Sequence, residues 1–261
     1  DTFEERYVAV VQGNRDVNKT LFDCRWDLIF FTGSPALARR VMEAAARNLT
    51  PVILELGGKS PCIIDKTADI KMAARRIAWG KTLNCGQTCI APDYILIHKD
   101  VKEAFVKAFA EEVINLHGED IQSDRHYVRM VNDKAFERVT GYFKDGDIIY
   151  GGRTDASELF IEPTLIENVP LDSPLMTEEI FGPVFPIITI DDNGSFRNKV
   201  IDFVTSREKP LAFYYFGKES DGWDIIRHTS SGGGCINDVI MHIANENIPF
   251  GGVGNSGMGR Y

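Results

Sequence analysis

The sequence predicts an α/β fold built on at least one mostly parallel sheet. Two observations predict it. Short runs of β-branched and aromatic residues alternate with longer stretches whose apolar residues recur at helical spacing. Gly or Pro marks several of the joins, and strands that alternate with helices are the pattern of α/β proteins. At 261 residues the chain corresponds to between one and two domains of about 150 residues.

The first strand is expected at residues 27–32 (DLIFFT), followed by a turn at Gly33 and Ser34. Ser34 as N-cap and Pro35 in the first helical position start a helix that runs to about Asn48, with Leu37, Val41, Ala44 and Ala45 on one face. A second strand covers 52–56 (VILEL), broken by Gly57 and Gly58, and a short one covers 61–64. Ile70, Ala73, Ala74, Ile77 and Ala78 mark a helix, and 94–98 (YILIH) reads as a strand. Val101, Ala104, Phe105, Ala108, Phe109 and Val113 give the clearest amphipathic helix. A further helix is expected over 127–143. Strands follow at 147–150, 184–190 and 211–216, alternating with helices near 198–206 and 221–229. The stretch 250–259 is Gly-rich, and there is no internal repeat.

With 44% hydrophobic and 26% charged residues, the chain has the composition of a folded globular protein, not a disordered one. A net charge of -9 argues against nucleic acid or an anionic membrane as the main partner. No apolar run approaches the roughly 20 residues that span a bilayer, and the start, DTFEERY, is polar and unlike a signal peptide. Five cysteines, an odd number without a dense framework, point to reduced thiols and a cytoplasmic setting. The expectation leaves room for a membrane-anchoring tail in a longer form.

Three motifs lack the context they need. Gly252, Gly254 and Gly257 match G-x-G-x-x-G, but no helix and no acid about 20 positions on accompany them. Gly58-Lys59-Ser60 lacks the earlier glycine of a phosphate-binding loop, since Ile53 stands there. The five histidines are scattered and no second cysteine pair joins Cys85 and Cys89, so no metal site is expected.

Three segments could carry chemistry. In 84–89 (NCGQTC), a small polar turn broken by Gly86 leaves a thiol reachable, and nearby backbone N–H groups can lower its pKa; a buried structural cysteine is the alternative. Glu55 sits inside an apolar strand, where a carboxylate is costly unless paired or functional, and a raised pKa would suit a general base; a glutamate on an edge strand's solvent face is the alternative. In 178–183 (EEIFGP) an acid beside an exposed aromatic could hold a ribose, or form an ordinary surface turn.

Taken in order, FTGSP, LELGGKSP, NCGQTC, EEIFGPV and PFGGVGNSGMG make the chain resemble the aldehyde dehydrogenase superfamily, from about Trp26 to Tyr261. TPVILELGGKSPC, GQTCIAPDYIL, REKPLAFY and FGGVGNSGMGRY look most like its class 3 branch, which oxidises medium and long aliphatic and aromatic aldehydes with NAD or NADP. The resemblance implies the C-terminal part of a Rossmann-like cofactor domain at 1–57, an α/β catalytic domain at 58–250, and a return segment toward the cofactor domain at 251–261. It implies Cys89 as the nucleophile, passing through a thiohemiacetal and a thioester, and Glu55 as the base that activates the hydrolytic water. Gly33 and Ser34 match the turn beside the cofactor pyrophosphate, where a helix N-terminus favours anions. Leu56 and Gly57 match the backbone near the nicotinamide, Glu179 the acid that holds its ribose, and Phe181 the aromatic packed beside it. Asn237 matches a segment before the substrate mouth, with a positioning role.

Two residues depart from the family pattern: Ala38 stands where the family usually has Gly, and Cys235 matches no family role. Members of the family also carry a long N-terminal part and a final oligomerising segment that this sequence does not include. The expectation is therefore a fragment of a homodimeric enzyme acting on a small-molecule aldehyde, impaired when alone. The retained pieces leave two alternatives: an esterase or acyl-transfer protein that uses Cys89, and a non-catalytic module on the same fold. Transfer of the thioester to coenzyme A is disfavoured because Glu55 is present.

Overall fold

The computed structural model describes residues 3–191, 193 and 195–261; Asp1 and Thr2, where the polar start was read, lie outside the described residues, as do Asp192 and Gly194. In chain order the elements are α1 (Arg15–Asp23), β1 (Ile29–Gly33), α2 (Pro35–Ala46), β2 (Val52–Leu56), β3 (Pro61–Ile64), α3 (Ile70–Thr82), β4 (Tyr94–His98), α4 (Lys102–His117), α5 (Asp133–Thr140) and β5 (Asp147–Tyr150). They continue with β6 (Thr154–Asp155), β7 (Phe160–Ile161), β8 (Thr164–Glu167), α6 (Pro174–Thr177), β9 (Val184–Ile190), α7 (Phe196–Thr205), β10 (Ala212–Phe216), α8 (Glu219–Arg227), β11 (Gly233–Ile236) and β12 (Gly257–Met258).

Two sheets position the site. The larger has seven strands in the order β11-β10-β3-β4-β9-β8-β5, and every pairing in it is parallel except β5 with β8. Its central strands are buried on both faces, which is why they read as continuous apolar runs. Cys62, Ile64, Ile95 and Ile97 face a core shared with Ala73, Ile77, Phe105 and Phe109 of α3 and α4. Ile63, Leu96, Phe213 and Tyr215 point the other way, onto Val200, Val204 and Ile225 of α7 and α8. The side-chain period of two in a strand produces this division.

The smaller sheet has the order β1-β2-β12. β2 runs parallel to β1, with Thr32 opposite Glu55, while β12 returns antiparallel, with Gly257 opposite Glu55. α2 covers this sheet: Ser34 caps it by accepting a hydrogen bond from the Leu37 N–H, and Pro35 occupies its first turn. Ala38 is 2% exposed and packs with Val41, Leu54 and Leu56, so its methyl group lies in the helix–sheet contact.

Several elements differ from the sequence reading. The helix expected over 127–143 starts only at Asp133, where Asn132 caps it, and passes into a 3-10 turn at Gly141–Asp145. Before it, Arg129 donates to the carbonyls of Tyr127 and Gln122, which holds that stretch in turns. α1 buries no residue, and β11 is a Gly-rich strand defined by its pairing with β10; neither has a strong apolar pattern. Among the described residues no helix is long and apolar enough to cross a membrane.

Candidate active site

Glu55 lies on the central strand of the smaller sheet, not at an edge. It is 3% exposed, and its Oε1 has no hydrogen-bond partner among the described residues. Burial pushes its carboxyl up to about 7, because a charge is costly away from water. Gly257 makes this possible: at φ 158° it crosses β2 so closely that a Cβ would lie 2.6 Å from the Leu54 carbonyl oxygen.

The thiol loop begins in a 3-10 turn at Leu83–Gly86, where Asn84, Cys85 and Gly86 all take left-handed backbone angles (φ 51°, 56° and 68°). Only Gly fits the third of these positions, since a Cβ at Gly86 would stand 2.4 Å from the Gly182 carbonyl oxygen. Gln87 fastens the turn: its Nε2 donates to the carbonyls of Asn84 and Arg129, and its Oε1 accepts from the Val131 N–H. The two cysteines of NCGQTC thereby separate. Cys85 is fully buried, with its sulfur 3.5 Å from the Tyr127 hydroxyl, whereas Cys89 is half-buried.

Cys89 is not a free-standing activated thiolate. Burial, followed by the charges of Glu179 and Glu55, pushes its thiol up to about 11. The backbone N–H groups of Cys89 and Ile90 pull in the opposite direction, as the turn chemistry suggests, but they are outweighed. Cys89, in the loop after α3, thus lies within electrostatic reach of Glu55 on β2 and of Glu179 in the segment after α6. The Tyr261 hydroxyl is raised in pKa by burial and then by the charges of Glu55 and Cys89. The Tyr261 ring meets Phe30 edge-on at 4.8 Å between centroids, and its backbone pairs with Phe250.

Glu179 is half-buried and accepts a hydrogen bond from the Gly58 N–H at 3.1 Å. Burial first, then the charge of Asp93, pushes it up to about 7. It lines a cavity of about 760 Å³ with Gly57, Gly58, Pro35, Lys209 and Asn255. A second hollow of about 690 Å³ lies between α1 and α2 and includes Ser34. Three observations fit this surface to a nicotinamide dinucleotide. Gly57 leaves open a cradle in which a Cβ would come within 2.1 Å of both Glu179 carboxylate oxygens. Glu179 supplies acceptors of the kind a ribose needs. The α2 N-terminus, through Pro35, stands on the far wall, where the positive end of the helix dipole favours an anion.

Not every candidate residue reaches this surface. Leu56 is buried beneath it, and neither Gly33 nor Phe181 lines either cavity; Phe181 is 39% exposed with φ 45°. Asn237 turns away: its side chain accepts from the Gly217 N–H and donates to the Gly217 carbonyl, fastening the turn after β10. The sequence reading missed Tyr261, Lys81 and Asp93. A lysine inside an otherwise apolar helix face and an aspartate just before an apolar strand were the available signals.

The chain matches the aldehyde dehydrogenase family over residues 2–261. It is 45% identical over 264 residues to 4,4'-diaponeurosporen-aldehyde dehydrogenase of Staphylococcus aureus, covering 100% of this chain and 57% of that protein. To the dimeric NADP-preferring aldehyde dehydrogenase of Rattus norvegicus it is 46% identical over 259 residues, covering 99% of this chain and 56% of that protein. Against the solved substrate-bound state of Staphylococcus aureus AldH the TM-score is 0.95 at 45% identity, over 100% of this chain and 57% of that one. The chain thus spans little more than half the length of the relatives it matches. The buried carboxylate, the half-buried thiol and the Gly-lined cavity sit on a fold shared along its whole length with these proteins, and the chain belongs to the aldehyde dehydrogenase family.

Proposed function

We propose that this chain carries the catalytic centre for NAD- or NADP-dependent oxidation of aldehydes, medium or long aliphatic or aromatic, to carboxylic acids. The pairing of Glu55 with Cys89 carries the reading: a buried carboxylate with an unpartnered oxygen lies within electrostatic reach of a half-buried thiol. The Cys89 sulfur bonds to the aldehyde carbon as its proton passes to the carbonyl oxygen, giving a thiohemiacetal. The nicotinamide, when bound, supplies the acceptor for the hydride, whose loss together with the hydroxyl proton, released to solvent, leaves a thioester on Cys89. Glu55, poised near neutral pH, then takes a proton from water as the hydroxide adds to the thioester carbonyl, and it returns that proton to the sulfur as the C–S bond breaks and the carboxylic acid departs. Ser34, Pro35, Gly57 and Glu179 are the residues we assign to holding the dinucleotide, with Gly33, Leu56 and Phe181 supporting them.

The test is reduced-nicotinamide formation with a medium-chain and an aromatic aldehyde, alongside the Cys89→Ser variant. Turnover that disappears in the variant is expected, and turnover that survives it would sink the reading. A second reading, thiol-dependent ester hydrolysis without nucleotide, draws on the same Glu55–Cys89 pair, which by itself has the parts for acyl transfer. We also infer a homodimer, because one relative is named as dimeric and β11 stands at one edge of the larger sheet. A cytoplasmic setting is supported by five cysteines that all stand as free thiols.

A further inference from the structure

Asp93 sits between the thiol loop and β4, is 3% exposed, and has both carboxylate oxygens committed. Oδ1 accepts from the Lys59 ammonium, while Oδ2 accepts from the Ile180 N–H at 2.9 Å. Its own N–H donates to the Ser60 carbonyl. Lys59 spends its remaining donors on the carbonyls of Leu175 and Glu178, each at 2.8 Å. One buried ion pair therefore grips the backbone on both sides of Glu179. Arg138 closes the grip by donating to the Glu179 carbonyl at 3.2 Å.

The other end of this arrangement is the thiol loop. Asp93 follows Pro92, whose carbonyl accepts from the buried Lys81 ammonium, and Ile90, whose carbonyl accepts from the Tyr214 hydroxyl. The loop is thus held from beneath, and Asp93 joins it to the segment that carries Glu179. A buried ion pair has little claim to be kept for stability alone, since apolar residues of similar volume often serve as well. Here the bonds that the pair makes beyond its own contact go to the backbone of a candidate functional segment, at Leu175, Glu178 and Ile180.

We propose that Asp93 is a positioning residue, which through Lys59 and the Ile180 N–H locks Glu179 in place relative to Cys89. The inference rests on Cys89 and Glu179 having the roles given under Proposed function. Its electrostatic consequence has a definite sign. The charged groups facing Glu179 are Asp93, Lys59, Arg138 of α5, Lys81 of α3, Cys89 and the adjacent Glu178, with Arg207, Glu208 and Lys209 across the cavity. Among these charges Asp93 has the largest effect on Glu179, keeping its carboxyl up, and Lys59 opposes it.

The experiment is a fluorescence titration of the full chain with NADH from pH 5.5 to 9. Binding by the unsubstituted chain should strengthen as Glu179 ionises, with a midpoint near 7. In Asp93→Asn the midpoint should fall by about one pH unit, because a like charge is removed; in Lys59→Met it should rise. Mere loosening would weaken binding at every pH without moving the midpoint. Midpoints unmoved in both variants overturn the assignment. No NADH binding by the unsubstituted chain overturns the cofactor-site reading itself, and the assignment with it. If Asp93→Asn lacks a cooperative melt, the double variant Lys59→Met/Asp93→Asn removes both charges. Its midpoint should still fall, since Asp93 outweighs Lys59, and an unmoved one overturns the proposal.

Discussion

Glu55 shows how burial sets chemistry at a single residue. An exposed glutamate would be fully ionised at neutral pH and a weak base; behind β1 and β12 its carboxyl rises to about 7. Because its folded pKa lies above its unfolded value, its contribution to stability is fully present below pH 4.5 and is lost as pH rises through about 7. Glu55→Gln is therefore expected to melt progressively higher than the parent as the pH is raised from 4.5 to 8, in paired thermal scans. The same variant should retain one round of Cys89 acylation but turn over about 10²–10⁴-fold more slowly, since the water loses its base; rapid-mixing kinetics separate the two phases. Equal losses of both phases would assign Glu55 to thiol activation alone.

At the scale of elements, the turn that follows α3 and opens the thiol loop is tightly constrained. Three consecutive left-handed residues and the contact of Gly86 with Gly182 bring the 84–89 turn against the 178–182 segment. Gly86→Ala should cost about 1–3 kcal/mol, by urea unfolding, because it adds both backbone strain and a collision. It should also change the alkylation rate of Cys89, by moving the loop that carries it. The ordered elements were largely legible from local pattern: β2, β3, β4, β5 and β9 stand at the expected positions. The long helix expected over 127–143 was not, because Arg129 satisfies carbonyls outside any helix. β11 escaped the pattern because Gly233 and Gly234 contribute no side chains and its pairing with β10 alone makes it a strand.

For the whole molecule, the segment that carries β12 completes the smaller sheet beside Glu55. β12 pairs with β2, and Phe250 and Tyr261 bracket it by exchanging backbone hydrogen bonds. Gly257→Val should break the β12–β2 contact, admit water to Glu55 and lower its carboxyl toward the ordinary range. The pH midpoint of turnover would then fall below the parent's, which the Glu55 carboxyl, raised to about 7, is expected to set. An unchanged midpoint would mean that β12 does not set the burial of Glu55.

Short-range chemistry was sufficient to locate the individual parts. Ser34 and Pro35 start α2 through capping and a preset φ, and an apolar run around Glu55 marks that carboxylate as unusual before any contact is known. The resemblance of five ordered motifs then pointed to the family. What depended on tertiary packing was the environment of those parts. The thiol's pKa is raised rather than lowered, because burial and two carboxylates brought from distant elements outweigh the local N–H groups. The choice between Cys85 and Cys89 turns on which sulfur faces Tyr127 in the core, and Asp93 becomes visible only once its partners Lys59 and Ile180 are beside it. Capping and periodicity act over a few residues along the chain, whereas desolvation and charge act through space, and only the completed packing brings their sources together.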